Sequence, residues 1–233
     1  GTLTSLVIPK VDAANPSLKF PWSFPLQTYR DLQLLRSYPA LFRVALGILF
    51  FYSIGGIAQL NIDQMAFEAG GETETAKIPL LLALIAGVCV GNVLAGIWSG
   101  DHVELGLLPL GALGMAVGSM LLFTVPADMF NAGSSVSAGL TWACCLLALL
   151  GMSAGLFDVP LEAYMQHRSP RDKRGSILAA GNLLTFSGIL LASVMFAALR
   201  WPTWQNPDPT KQELLPFLNS QQIFLVAGVF TIP

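Results

Sequence analysis

Charge is scarce in this chain. Only 11% of its 233 residues are Asp, Glu, Lys or Arg, where a typical soluble domain carries about 25%. The 12 basic residues face 14 acidic ones, for a formal net charge of -2. Such a balance offers no global basic field to hold nucleic acid, and no nucleic-acid partner is expected. Cysteine is also rare. Cys89, Cys144 and Cys145 each lie inside an apolar run, which argues against a disulfide framework or a metal site. There are two histidines, His102 and His167. No phosphate loop, clustered metal ligands or serine–histidine pair accompanies them, so neither a cofactor nor a soluble enzyme is expected. No signal-peptide pattern is present. The opening GTLTSLVIP and the closing FTIP both lie in apolar sequence, and the chain reads as a fragment of a longer protein.

What the chain has in abundance is hydrophobic length: 54% of its residues are hydrophobic. Residues 1–8 read as the end of a preceding transmembrane helix. Residues 9–43 differ, with five prolines and five basic residues. Proline blocks regular hydrogen bonding, so the first part is expected to be irregular. The stretch 26–38 can form a short amphipathic helix with Leu32 and Leu35 on its apolar face, lying at the membrane surface. Six apolar runs follow and predict transmembrane helices at about 44–62, 78–100, 105–127, 138–160, 175–199 and 221–233, the last truncated. About 20 apolar residues cross a bilayer as a helix. The expected fold is therefore an all-α polytopic helix bundle over 44–233, a multi-pass membrane protein whose first partner is the lipid bilayer. Buried helices of a soluble bundle are usually shorter.

The basic residues orient it. With 9–43 placed inside, nine of the 12 Lys and Arg fall in inner segments, as the positive-inside rule requires. The outer loops are acidic or proline-rich, with Asp63, Glu68, Glu72 and Glu74 in the first. Trp201 and Trp204 read as outer interfacial anchors, and Trp98 as an inner one.

Glycines recur at i, i+4: Gly87/Gly91, Gly96/Gly100, Gly114/Gly118 and Gly151/Gly155. Small residues at that spacing let helix backbones approach closely in lipid, and these pairs are expected to serve helix packing.

Three places could carry chemistry. Asp158 and Glu162 flank Pro160 and share one helix face at i, i+4. Acids at membrane depth usually mark an ion or substrate path; here they serve either as a gating or coupling site or as an interfacial pair bridged to the basic loop Arg168, Arg171, Lys173 and Arg174. The turn GDHVELG holds Asp101, His102 and Glu104, readable as a helix cap or as a lock between neighbouring helices. Finally, His167 and Asp172 form an H-x-x-x-x-D spacing. Glycerolipid acyltransferases use that spacing for an Asp-oriented His base, but no glycine-rich, acid-bearing companion motif follows it.

The stretches GDHVELGLLPLGALGMAVGS, FDVPLEAYMQHRSPRDKRGSILAAGN and IPKVDAANPSLKFPW resemble the lysophospholipid transporter branch of the major facilitator superfamily. The superfamily's usual loop signature is G-x-x-x-D-R-x-G-R; here Gly96 and Asp101 stand one residue further apart, and His102 stands where a basic residue is expected. The resemblance covers nearly the whole chain. It implies the C-terminal half of a twelve-helix fold, with 9–43 as the loop between halves and inverted three-helix repeats that rock in alternating access. It also implies a secondary transporter carrying lysophospholipid across the bacterial inner membrane, an N-terminal half as partner and, in some relatives, a fused acyltransferase and acyl-carrier-protein ligase that re-acylate the imported lipid. The alternatives are export of a drug or another small solute in the same fold, a membrane-bound acyltransferase using His167 and Asp172, or a membrane anchor for a fused enzyme.

Overall fold

The computed structural model describes residues 24–71, 74–100, 102–126, 128–130, 137–205 and 214–232. The expected helix end at 1–8, the proline-rich stretch up to 23, Asp101, Glu72 and the side chains of Glu74 and Trp204 lie outside the described residues.

Five helices are long and apolar enough to cross a membrane. In chain order the helices are α1 (Phe24–Arg36), α2 (Pro39–Glu68), α3 (Ile78–Ser99), α4 (Leu107–Leu121), α5 (Ala138–Arg168), α6 (Arg174–Leu199) and the shorter α7 (Ser220–Phe230). A 3-10 turn over Glu74–Lys77 leads into α3, and another over Leu122–Thr124 extends α4. Between α6 and α7 the strands β1 (Pro202–Gln205) and β2 (Leu214–Pro216) form an antiparallel hairpin with Pro202 opposite Pro216 and a bulge before Trp204. The fold is an all-α polytopic bundle, with this hairpin as its one described piece of sheet.

Local chemistry sets the helix ends. Pro39 sits in the first turn of α2, where its missing N–H costs no helical bond. At the other end Gly70 adopts φ 86, Gly71 N–H donates to Ala66 O and Gly70 N–H to Phe67 O. This left-handed glycine cap satisfies the last carbonyls. Ser137 caps α5 by accepting from Leu140 N–H at 3.0 Å. Asn219 and Gln222 cap α7 reciprocally.

Three boundaries correct the sequence reading. Helix α2 begins at 39 and runs to 68, so Asp63 and Glu68 are helical. Helix α5 continues to Arg168 rather than stopping near 160, and the expected 161–174 loop shrinks to 169–173. Helix α4 begins only at Leu107, with Gly106 at its N-cap and no side-chain cap bond. The first two share one cause. At 1.5 Å per residue a 30-residue helix is about 45 Å long, against a hydrocarbon core of about 30 Å. Apolar runs measure the bilayer crossing, while the helices continue beyond it with polar residues.

The chain threads back and forth, which gathers Ser99, Leu107, Arg168 and Arg174 at one end, called here the basic end. Glu68, Arg200 and Ser220 gather at the far end. Packing pairs α3 with α5, α2 with α6, α4 with α5, α2 with α7, α4 with α7 and α2 with α5. Exchanging the helices α2, α3 and α4 for α5, α6 and the shorter α7 leaves these six pairs unchanged. Helices three apart run in opposite directions through the bundle, so the exchange describes an inverted repeat.

Two large buried clusters hold the bundle, and a small third joins Ile57 of α2, Ala192 of α6 and Ile223 of α7. One near the far end joins Ile62 and Met65 of α2, Met115 of α4, Leu147 and Leu150 of α5 and Phe224 of α7. The other, near the basic end, joins Ala45 and Ile48 of α2, Leu161 and Met165 of α5, Ile177 and Ala180 of α6, and Leu35 of α1. Leu35 is fully buried there and Leu32 packs beside it. Helix α1 therefore turns the apolar face expected to meet lipid onto the bundle instead. The outward faces of α3 and α6 expose Leu82, Ile85, Val93, Ile97, Phe186 and Leu190, surface that suits lipid contact.

The tightest crossing, α3 on α5, is built on glycine. A Cβ on Gly87 would strike Ala148 O, and one on Gly91 would strike Met152 O. Reciprocally, a Cβ on Gly151 would strike Leu84 O, and one on Gly155 would lie 2.6 Å from Asn92 Oδ1 and 2.7 Å from Asn92 N. Gly114 of α4 is filled by Ser153 Oγ, while Gly118 meets Leu150 only at an ordinary 3.5 Å. Gly96 and Gly100 do not act in packing, since a Cβ at either would meet nothing within 4 Å.

Candidate functional site

The acids stand inside α5. Ala138 to Asp158 is 20 residues, so Asp158 lies about 30 Å along the helix from its far-end start, and Glu162 about 6 Å further. Both are half-buried, and Pro160 between them is buried. Proline supplies no N–H, so Leu156 C=O loses its helical donor. One carboxylate oxygen of Asp158, Oδ1, is shielded from solvent and has no hydrogen-bond partner among the described residues.

Helix α2 faces the pair. Tyr52 lies within electrostatic reach of both Asp158 and Glu162. Next to it Phe51 stacks on Phe157, with ring centroids 5.9 Å apart and planes 26° apart. Sequence reasoning missed Tyr52; the available signal was a tyrosine in the uncharged run 44–60.

The basic loop does not reach the acids. Among the described residues, no ion pair joins Arg168, Arg171, Lys173 or Arg174 to Asp158 or Glu162. Arg168 instead sits over the Tyr164 ring at 5.8 Å, and Arg174 Nη2 donates to Ser169 O at 3.5 Å. The interfacial-pair reading is therefore not the arrangement in this structure. His167 closes the last turn of α5, and no hydrogen bond joins it to Asp172. His102 N–H donates to Ser99 O at 2.9 Å and Glu104 C=O accepts from Leu107 N–H, which shapes the turn ahead of α4.

The far end contrasts with this. Glu68 accepts from Arg200 at 2.7 Å, from Ser220 N–H at 2.9 Å and from Ser220 Oγ at 2.6 Å. Buried Asn61 donates to Ser220 O at 2.7 Å, and Asp63 pairs with Lys77 at 3.6 Å. One carboxylate thus ties α2, α6 and α7 together, while no ion pair is found at the basic end among the described residues.

This bundle of inverted repeats has a counterpart among protein families. Residues 3–193 match the family model of the Major Facilitator Superfamily. The chain belongs to the major facilitator superfamily. Comparison with curated proteins and with solved structures gives no match. A major facilitator is a secondary transporter, and the five spanning helices make this one a multi-pass membrane protein. In this major facilitator the acid pair is set on a spanning helix, at the junction with α2, and not on a connecting loop.

Proposed function

We propose that this major facilitator moves a lysophospholipid across the bacterial inner membrane by alternating access, with its basic end in the cytoplasm. Asp158 and Glu162 meet the cationic part of the head group. The observation that carries this reading is the shielded Asp158 oxygen, which has no partner among the described residues. A buried ionised group without a partner costs several kcal/mol, so a cation that enters and leaves gives the site different energies in its two states, which is what a conformational cycle needs. An ammonium head group supplies the N–H donors a carboxylate accepts, and Tyr52 adds an aromatic, polar neighbour. An apolar groove of about 230 Å³ between α2, α6 and α7, lined by Leu49, Ile54, Met195 and Phe230 among others, suits an acyl chain. An N-terminal half of the same fold would cover the faces of α2 and α5 that carry the site, and a fused or associated acyltransferase would consume the delivered lipid.

The test is uptake of labelled lysophosphatidylethanolamine by cells holding matched amounts of protein. Asp158→Asn is expected to slow uptake about tenfold, a loss of about 1.4 kcal/mol, and Glu162→Gln less, because Asp158 lies deeper. Wild-type uptake by the double variant refutes the assignment. Transport of an unrelated organic cation, with no lysophospholipid uptake, moves the reading to solute export.

A further inference from the structure

A cavity of about 510 Å³, distinct from the apolar groove, opens at the basic end between the end of α3, the link to α4, the last turns of α5 and the start of α6. Its wall carries Ser99, His102, Gln166, His167 and Arg174. These include both histidines of the chain, drawn from four segments spread over 75 residues of sequence. Each is a hydrogen-bond donor: a hydroxyl, two imidazoles, an amide and a guanidinium. Among the described lining residues there is no carboxylate. Arg174 spends one nitrogen on a long 3.5 Å bond to Ser169 O, which leaves most of its five donors unused. His102 and His167 have no side-chain partner among the described residues.

Gly96 and Gly100 also line this cavity; Gly100 caps α3 at φ 51, which favours glycine, while helix packing leaves Gly96 unexplained. A Cβ at either meets nothing within 4 Å. A side chain at Gly96 would project into the open space, so its absence keeps the cavity clear. Trp98, half-exposed just before the cavity, is a residue type that settles at the level of lipid head groups.

We infer that this cavity is a binding site for a phosphate-bearing anion, held chiefly by Arg174 with His102, His167, Ser99 and Gln166 as further donors. An Arg guanidinium matches phosphate oxygens in a two-point geometry, and at head-group depth the anion is carried either by a membrane lipid or by free phosphate. The inference rests on the cavity alone and does not depend on what Asp158 and Glu162 bind.

The experiment measures the melting midpoint of the full-length protein in detergent while short-chain phosphatidylglycerol, the matching diacylglycerol without phosphate, or inorganic phosphate is titrated. Phosphatidylglycerol is expected to raise the midpoint of the wild type and the diacylglycerol to leave it unchanged. Arg174→Gln and Gly96→Leu are each expected to weaken the apparent affinity about tenfold, equivalent to about 1.4 kcal/mol. Lys173→Gln removes the neighbouring charge outside the lining and is expected to change it by less than about twofold. Should Gly96→Leu not fold, the Arg174→Gln and Lys173→Gln pair decides alone. If inorganic phosphate reproduces the shift, the ligand is the free anion; if phosphatidylglycerol alone does so, it is the lipid head group. Equal affinity in wild type and Arg174→Gln, or equal weakening by Lys173→Gln, overturns the site.

Discussion

Gly87 of α3 lies directly under the backbone carbonyl of Ala148 in α5, and a turn further along Gly91 lies under that of Met152. Gly151 and Gly155 of α5 return the same contact to Leu84 and Asn92. The two helices meet backbone to backbone, which fixes how α5 presents Asp158 to α2. In lipid, where burial of apolar surface drives little, such close packing is a main source of helix association.

That contact predicts a contrast among glycines that look alike in sequence. Gly87→Ala is expected to destabilise the bundle by about 1–3 kcal/mol through overpacking, and Gly151→Ala likewise. Gly96→Ala is expected to be neutral or slightly stabilising, since the space is open and alanine is the better helix former. Melting midpoints of the three variants in one detergent decide it. Indistinguishable midpoints would contradict the crossing.

At the far end, Glu68 holds Arg200 and Ser220 with three hydrogen bonds. Bonds to a charged group are each worth about 1.5–3 kcal/mol. Glu68→Ala is therefore expected to cost more than Arg200→Ala, which removes only one of the three. The double variant should fall short of the sum, because the two residues share one interaction. A double-mutant cycle on the unfolding midpoint measures this, and strict additivity would show the contact to be idle.

How much of this was legible in advance follows from what each signal measures. The five long spans could be read directly because a bilayer demands a run of about 20 apolar residues. Their ends at Pro39, Glu68 and Arg168 could not, because a helix leaving the hydrocarbon is free to continue with polar side chains. Spacing alone could not separate Gly87 from Gly96, since both stand in i, i+4 pairs and only the neighbouring helix tells them apart. Glu68 and Arg200 are 132 residues apart, and no local pattern joins them. Asp158 and Glu162 stood out as acids beside an apolar run, yet the partner they face, Tyr52, lies on another helix and carried no motif. The reach of the basic loop toward the acids was plausible by sequence proximity. It fails in the structure because α5 stays helical to Arg168, so the basic residues come only at its last turn and after it.

Orientation gives a third prediction, from the excess of Lys and Arg on one side. Single cysteines at Arg171 and at Trp201, both exposed, are placed in a background lacking Cys89, Cys144 and Cys145. An impermeant thiol reagent is expected to label position 201 in intact cells and position 171 only after permeabilisation. Labelling of position 171 in intact cells reverses the assignment of the basic end to the cytoplasm.

The last prediction concerns Pro160. It is buried within α5, between the two acids, and it removes the backbone bond to Leu156 C=O. In an ordinary helix interior such a residue costs about 3 kcal/mol; within a membrane bundle neighbouring groups recover part of that. Beyond it, Leu161 and Met165 pack with α1, α2 and α6 in the basic-end cluster, whereas before it Leu147 and Leu150 belong to the far-end cluster. Pro160 thus stands at the boundary between two packing units, where a weakened helix lets one move against the other. Pro160→Ala restores the N–H donor and is expected to leave the melting midpoint equal or higher. Half-saturation for substrate should change by less than about twofold, while turnover falls about tenfold, an added barrier of about 1.4 kcal/mol. Initial uptake rates across a substrate series, at matched protein levels, separate the two quantities. Turnover at the wild-type level in Pro160→Ala would show that α5 moves as one rigid rod and that the proline serves packing alone.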